Sequence, residues 1–266
     1  MNLEKLVWQQ LRLIGLIPGA RFLFYLIANM IYKDSSIIRI PFGPAANFMW
    51  RHHRNYQPWM TLGIYEPEVA KLIRDLLHEG DVFYDIGAHA GYFTLIAANK
   101  VGPDGLVIAF EPVPDNAAIA KEQIELNGFQ AICRVVTSAI MDTMGEVSLI
   151  IPKRIANAHL LDVPAPHVNE GRGKVIRVSS ITLDSFVSNN PWPTLIKMDI
   201  EGAELKALMG AKKLLSSPQA PVFLITAHSE KLNREVRDIL SNNLYEFSDF
   251  PYMIHAIPKR SKGEDV

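Results

Sequence analysis

Residues 81 to 94, Asp81-Val82-Phe83-Tyr84-Asp85-Ile86-Gly87-Ala88-His89-Ala90-Gly91-Tyr92-Phe93-Thr94, constrain the fold more than any other stretch of the chain. They read as a short apolar strand that ends in an acid, passes through a glycine turn and opens a helix. A nucleotide phosphate would call for glycines spaced Gly-x-Gly-x-x-Gly, so that backbone N–H groups at the helix start can close on a pyrophosphate. Here only Gly87 and Gly91 follow Asp85, and Glu111 closes the next strand, Val107-Ile108-Ala109-Phe110, where a carboxylate can accept hydrogen bonds from two ribose hydroxyls. An acid at each of two strand ends and a turn without phosphate spacing suit S-adenosylmethionine (SAM), which has a cationic amino acid end, a ribose and no phosphate.

From Tyr65 onward strand and helix patterns alternate at the intervals of a parallel sheet covered on both faces. The pattern predicts strands at 82–86, 106–110, 132–136, 194–200, 221–227, 244–248 and 252–257, and helices at 66–78, 91–99, 114–127, 203–215 and 230–241. Pro114 is placed for a helix start, and Asn127-Gly128 for a stop. Between the third and fourth core strands, Glu146–Ile151 and Val175–Val178 flank a polar stretch from Pro152 to Lys174, which reads as a hairpin with a long loop. The fold class is α/β, Rossmann-like, with a seven-stranded, mostly parallel sheet.

With 266 residues, 48% of them apolar, the chain can bury a sizeable core. Its single cysteine, Cys133, excludes an internal disulfide and reads as an inert buried thiol. A net charge of −1 hides an uneven distribution, because residues 1 to 60 hold seven Lys/Arg against two Asp/Glu, together with ten aromatics. We expect an N-terminal extension (1–60), a catalytic domain (61–258) and a polar tail (259–266). Leu3, Leu6, Val7, Leu11, Ile14 and Ile17 recur at helical spacing before Pro18-Gly19, but neither this piece nor the apolar run from Phe22 to Ile31 is long enough to span a bilayer. Glu4 and Arg12 argue against a secretory signal. The expectation is a cytoplasmic protein whose basic, aromatic N-terminal segment packs on the domain or on a second subunit, with peripheral membrane contact as the other reading. No nucleic-acid motif is present.

Four segments, in their order and spacing, resemble the FkbM-type SAM-dependent methyltransferases. They are Tyr65-Glu66-Pro67-Glu68; the turn from Asp85 to Thr94 with Phe110-Glu111-Pro112; Thr182-Leu183-Asp184; and Ile196-Lys197-Met198-Asp199-Ile200-Glu201-Gly202-Ala203-Glu204 with Gly210-Ala211. The resemblance implies a class I methyltransferase fold, whose last strand is antiparallel. It also implies methyl transfer to oxygen, often on sugars of glycolipids, polysaccharides or natural products. His89 stands where the family usually has Asn at the methionine carboxylate. Thr226 stands where it commonly has Glu, while His228, two residues on, is retained.

The expected cofactor residues are Asp85, Gly87, His89 and Gly91 at the turn, Glu111 at the ribose and Ser138, just past the third strand, near the adenine. Asp199 ends the fourth strand and His228 follows the fifth, its neighbour in this fold, so both fall on the rim where the methyl is transferred. An alcohol is barely ionised at neutral pH, and an imidazole is the side chain best matched to removing its proton. Asp199 and His228 are therefore the expected catalytic pair. Asp199, Glu201 and His228 are a loose match for Mg²⁺, and no metal is assigned. Glu201 and Glu204 can simply favour the start of a helix. Arg51, His52, His53 and Arg54 read as a solvated basic turn, Trp50 and Trp59 as core residues or sugar platforms, and Lys153, Arg154, His159, His167 and Arg172 as a lid over the acceptor or a surface loop. Two other classes compete. A nucleotide-cofactor (NAD-type) sugar-modifying enzyme lacks support because the third glycine and a Tyr-x-x-x-Lys pair are missing. A non-catalytic, membrane-associated SAM-binding protein would need Asp199 and His228 to point away from the cofactor.

Overall fold

The computed structural model describes residues 30–54, 58–151, 159–160, 173–248, 250 and 253–259. The helical stretch expected from Leu3, most of the apolar run that follows it, and Lys153, Arg154, His167 and Arg172 of the long loop lie outside them. The chain divides into two compact units, residues 1–72 and 73–266.

In the first unit β1 (Ile37–Arg39) pairs antiparallel with β2 (Met49–Arg51), and the short helix α1 (Pro58–Leu62) follows. Trp50 is fully buried, so its ring is a core element and no sugar platform. His52 departs from the expected solvated turn. It is 1% exposed and its Nδ1 lies 2.9 Å from Thr61 Oγ1. Burial lowers its pKa, because the charged ring loses hydration. Helix α2 (Pro67–Leu76) leads into the second unit.

In chain order the second unit then contains β3 (Val82–Ile86), α3 (Tyr92–Val101), β4 (Leu106–Phe110), α4 (Pro114–Leu126) and β5 (Cys133–Val136). An inserted group follows: β6 (Ala139–Ile140), β7 (Gly145–Ile151), β8 (His159–Leu160), β9 (Lys174–Ile181) and α5 (Leu183–Val187). The chain ends with β10 (Leu195–Met198), α6 (Glu204–Met209), α7 (Lys212–Ser216), β11 (Val222–Ile225), α8 (Glu230–Asn242), β12 (Tyr245–Ser248) and β13 (Ile254–Pro258). Seven strands form the main sheet in the order β12-β13-β11-β10-β3-β4-β5. The five strands from β11 to β5 are parallel, and β13 runs antiparallel to both of its neighbours. This is the class I methyltransferase arrangement.

The sequence explains the sheet. Val82-Phe83-Tyr84-Asp85-Ile86, Leu106 to Phe110, Leu195 to Met198 and Val222 to Ile225 are near-continuous apolar runs, as strands covered on both faces require. Helix α3 is buried almost all round. Tyr84, Phe110 and Phe186 of α5 pack edge to face, with centroids 5.4 Å (Tyr84–Phe110), 5.6 Å (Tyr84–Phe186) and 4.9 Å (Phe110–Phe186) apart. Each such pair contributes about 0.5–1.5 kcal/mol beyond its buried area. Cys133 is half-buried, and burial pushes its thiol up to about 12, which agrees with an inert thiol.

Two features differ from the expected pattern. The hairpin is longer than its apolar residues suggest: β7 pairs with β9 from Gly145–Ser180 to Ile151–Lys174, and β6 and β8 complete a separate four-stranded sheet. The single helix expected over 203–215 is two short ones. A side chain at Gly210 would meet the Met141 carbonyl oxygen at 2.2 Å, and the Asp184 carboxylate accepts the N–H groups of Lys213 (2.9 Å) and Leu214 (3.0 Å), starting α7 afresh. Thr182 caps α5 by accepting from Ser185 N–H at 3.0 Å. The Thr182-Leu183-Asp184 and Gly210-Ala211 segments thus set helix ends.

Candidate active site

The turn after β3 is built from three left-handed residues, Gly87 (φ 81°), His89 (φ 52°) and Gly91 (φ 85°). Gly87 admits no side chain, because a Cβ there would lie 2.0 Å from the Asp199 carbonyl oxygen, where the ends of β3 and β10 converge. Four backbone donors of the turn are engaged. Gly87 and Ala88 N–H donate to Phe110 O at 2.9 and 3.0 Å, Gly91 N–H to Ala88 O at 2.8 Å, and His89 N–H to Glu111 Oε2 at 2.9 Å. These four donors are therefore not open to a pyrophosphate.

Asp85 lies beneath the turn, fully buried. It makes no side-chain cap on α3; its Oδ2 accepts from Thr94 Oγ1 at 2.7 Å, and its Oδ1 is 3.3 Å from the Lys197 ammonium. Lys197 also donates to the Gly87 carbonyl at 3.0 Å. The β3–β10 register pairs Lys197 with Asp85 directly, which puts both side chains on one face of the sheet. Asp85, expected at the cofactor, is thus buried under the backbone that a cofactor would touch. Sequence reasoning passed over Lys197. Its signal was a lysine inside an otherwise apolar strand, which is hardly ever buried without a partner.

Glu111, 5% exposed, stands at the end of β4 as expected. Its Oε1 accepts from Val113 N–H (3.0 Å) and Asn116 Nδ2 (3.2 Å), while Oε2 accepts only His89 N–H among the hydrogen bonds of the described residues. A carboxylate has about four acceptor positions. With these three bonds kept, there is room for one further hydroxyl on Oε2, where the sequence suggested two. Burial raises the pKa of Glu111 against the lowering effect of those three bonds and of Lys197. Ser138, past β5, is linked to the inserted sheet through a 2.7 Å contact of its hydroxyl with Ser179 Oγ.

The other half of the rim is acidic. His228 Nε2 lies 2.9 Å from Asp199 Oδ1 and 3.6 Å from Glu204 Oε1, and its Nδ1 lies 3.8 Å from Glu201 Oε2. The expected pairing of strand ends is met: Asp199 N–H bonds to Ile86 O, and Thr226 N–H to Met198 O. Side chains of His228 and Asp199 keep 19% and 18% of their surface exposed, so a ligand can reach them. Glu204 is fully buried. Its Oε1 accepts Ile200 N–H at 2.9 Å and Gly202 N–H at 3.3 Å, closing the bend in which Glu201 (φ 55°) and Gly202 (φ 100°) are left-handed.

Charge and burial oppose each other at this cluster. Desolvation works to lower the His228 pKa, but the Asp199 hydrogen bond and the charges of Asp199, Glu201 and Glu204 raise it to about 9. Desolvation works to raise the Asp199 carboxyl, yet His228 and Lys197 hold it below the usual range. Burial dominates at Glu204 and raises it. His228 is therefore a more basic group than a free imidazole and is protonated at neutral pH in the ligand-free protein. A cavity of about 490 Å³ opens beside it, lined by Ala227, His228, Ser229, Glu230, Asn233 and Arg234.

Proteins named as methyltransferases are similar in sequence to parts of this chain. The hexuronic acid methyltransferase AglP of Haloferax volcanii is 26% identical over 185 residues, 66% of this chain and 68% of that protein. Protein-L-isoaspartate O-methyltransferase 1 of Archaeoglobus fulgidus is 32% identical over 129 residues, covering 47% and 59% of the two chains. A solved precorrin-6y C5,15-methyltransferase of Geobacter metallireducens superposes with a TM-score of 0.48 at 14% identity, over 74% of this chain and 90% of that one. The methyltransferase FkbM domain model matches residues 85–247, more than half of the chain, and the protein belongs to the FkbM methyltransferase family.

Proposed function

We propose that this methyltransferase uses SAM to methylate an oxygen of a saccharide, glycolipid or similar hydroxylated natural product. The observation that carries this reading is the division of one sheet edge into two sites. A glycine turn with Glu111 lies over β3 and β4, and the Asp199–His228 pair lies over β10 and β11, beside a cavity with hydrogen-bonding walls. Bound SAM would supply a methyl group on a sulfonium, so that an O–CH₃ bond forms as the S–CH₃ bond breaks and S-adenosylhomocysteine is left.

The residues fit that cofactor. Glu111 offers its remaining acceptor position to a ribose hydroxyl, Gly87 and Gly91 let the backbone come close, and Ser138 lies on the adenine side. Asp85 and Lys197 act as positioning residues that hold the turn. On the acceptor side Asp199 orients the imidazole through His228 Nε2, and Nδ1, after giving up its own proton to solvent, receives the acceptor's proton, with the surrounding carboxylates favouring the imidazolium that results. The activity of the Haloferax volcanii relative on a hexuronic acid supports a sugar acceptor. The excess of seven Lys/Arg over two Asp/Glu in residues 1 to 60 supports a lipid-linked or anionic acceptor and peripheral contact with the cytoplasmic side of a membrane. Incubation with methyl-labelled SAM and fractionated cell-envelope glycolipids, with polysaccharide alongside, tests the reading. Label should enter a base-stable ether of the saccharide fraction, and label in protein or in no fraction would contradict it.

A further inference from the structure

We infer that Asp199, Glu204 and His228 form a binding site for one divalent cation of the first transition row. The inference rests on placing the acceptor at this rim, as read above, and gives His228 the role of a ligand in place of that of the proton acceptor.

The three residues come from three places, the end of β10, the first turn of α6 and the loop after β11, yet one ligand atom from each lies within 4.8 Å of the other two. The shorter separations, 2.9 Å from His228 Nε2 to Asp199 Oδ1 and 3.6 Å to Glu204 Oε1, bracket the spacing of neighbouring ligands around one ion. Two atoms each about 2.2 Å from an ion and at right angles are about 3.1 Å apart. A second, independent observation points to a ligand. Glu204 is fully buried and its Oε2 has no hydrogen-bond partner among the described residues, while Oε1 is held by two backbone N–H groups that aim the carboxylate at His228. A buried carboxylate oxygen without a partner is costly, and a cation is the partner that two acids and an imidazole would share. Glu201, 3.8 Å from the other ring nitrogen, adds a third carboxylate nearby. Two carboxylates with one imidazole nitrogen favour Mn²⁺, Fe²⁺ or Zn²⁺ over Mg²⁺ and Ca²⁺, which prefer oxygen alone. A cation here would polarise an acceptor oxygen directly, and His228 would serve it as a ligand.

The test uses the full chain, treated with chelator and dialysed, then titrated with Mn²⁺ while free Mn²⁺ is followed by electron paramagnetic resonance. One Mn²⁺ should bind per chain, with Mg²⁺ competing weakly. Glu204→Gln keeps a carbonyl for the Ile200 and Gly202 N–H groups but loses the charge, and it should bind Mn²⁺ about tenfold more weakly or worse. Asp199→Asn should do the same. The rise in melting temperature on adding SAM, measured on the same samples, reports the fold and the cofactor reading separately. Absence of saturable Mn²⁺ binding, or parent-like binding by both variants, overturns the site even where SAM still stabilises the protein. Mn²⁺ binding without a SAM effect upholds the site and removes the cofactor reading.

Discussion

At the glycine turn the Glu111 carboxylate accepts three hydrogen bonds and the buried Asp85 has both Thr94 and Lys197. At the other end of the same rim three carboxylates crowd one imidazole, and a buried oxygen of Glu204 has no hydrogen bond among the described residues. The first region is set before any ligand arrives, with four backbone donors engaged and one acceptor position left over. The second gathers three carboxylates around one imidazolium and leaves a buried carboxylate oxygen without a hydrogen bond among the described residues. On the function proposed above, the difference would separate a cofactor half, which the protein shapes through its own bonds, from an acceptor half whose chemistry needs an incoming partner.

That contrast can be broken most decisively at His228. His228→Ala should lower turnover by about 10² to 10⁴-fold while leaving SAM affinity near that of the parent, since the imidazole deals with the acceptor. Steady-state rates with calorimetric SAM titrations check this, and a parent rate would place the chemistry elsewhere. Next in size is Lys197→Met, which strands Asp85 as a buried, unpaired charge. Loss of one partner of such a pair costs about 3 to 5 kcal/mol, and adding Asp85→Asn should recover much of it. Urea denaturation of the single and double variants measures the recovery; equal stability of the two would mean that the pair does not act as a unit.

A smaller effect distinguishes the halves by pH. In chelator-treated protein the folded state raises His228 from its ordinary 6.5 to about 9, so folding favours the protonated ring. The stabilisation is complete below pH 6.5, declines as pH rises from there and is gone above about 9. The parent's melting temperature should accordingly fall more between pH 6.5 and 9 than that of His228→Gln. Parallel curves would show that the acid cluster does not hold the proton.

Much of this was legible in the sequence because it rests on local pattern. Apolar runs gave the five parallel strands, and acids directly after them gave Glu111 and Asp199. The neighbouring of the fourth and fifth strands brought Asp199 to His228 by topology. What was not legible depends on register or on side chains that turn back on the chain. Lys197 reads as an interruption until the β3–β10 register sets it against Asp85. Glu204 reads as a helix-start acid until the left-handed Glu201 and Gly202 fold the loop over it. The break between α6 and α7 arises from Gly210 packing on Met141 and from Asp184, 29 residues before Lys213. His52 sits in a basic, aromatic stretch whose composition resembles an exposed surface, and only the fold reveals that it is buried, whereas a core role for Trp50 is already one reading of the sequence.

The most direct test of the division is calorimetric titration of SAM into the parent chain and into Glu111→Ala. The account predicts that one SAM binds per chain and that the substitution weakens binding by about 1 to 3 kcal/mol, through loss of a charged hydrogen-bond acceptor and of the bond that fixes His89. No SAM binding by the parent, or an affinity unchanged by Glu111→Ala, would contradict it.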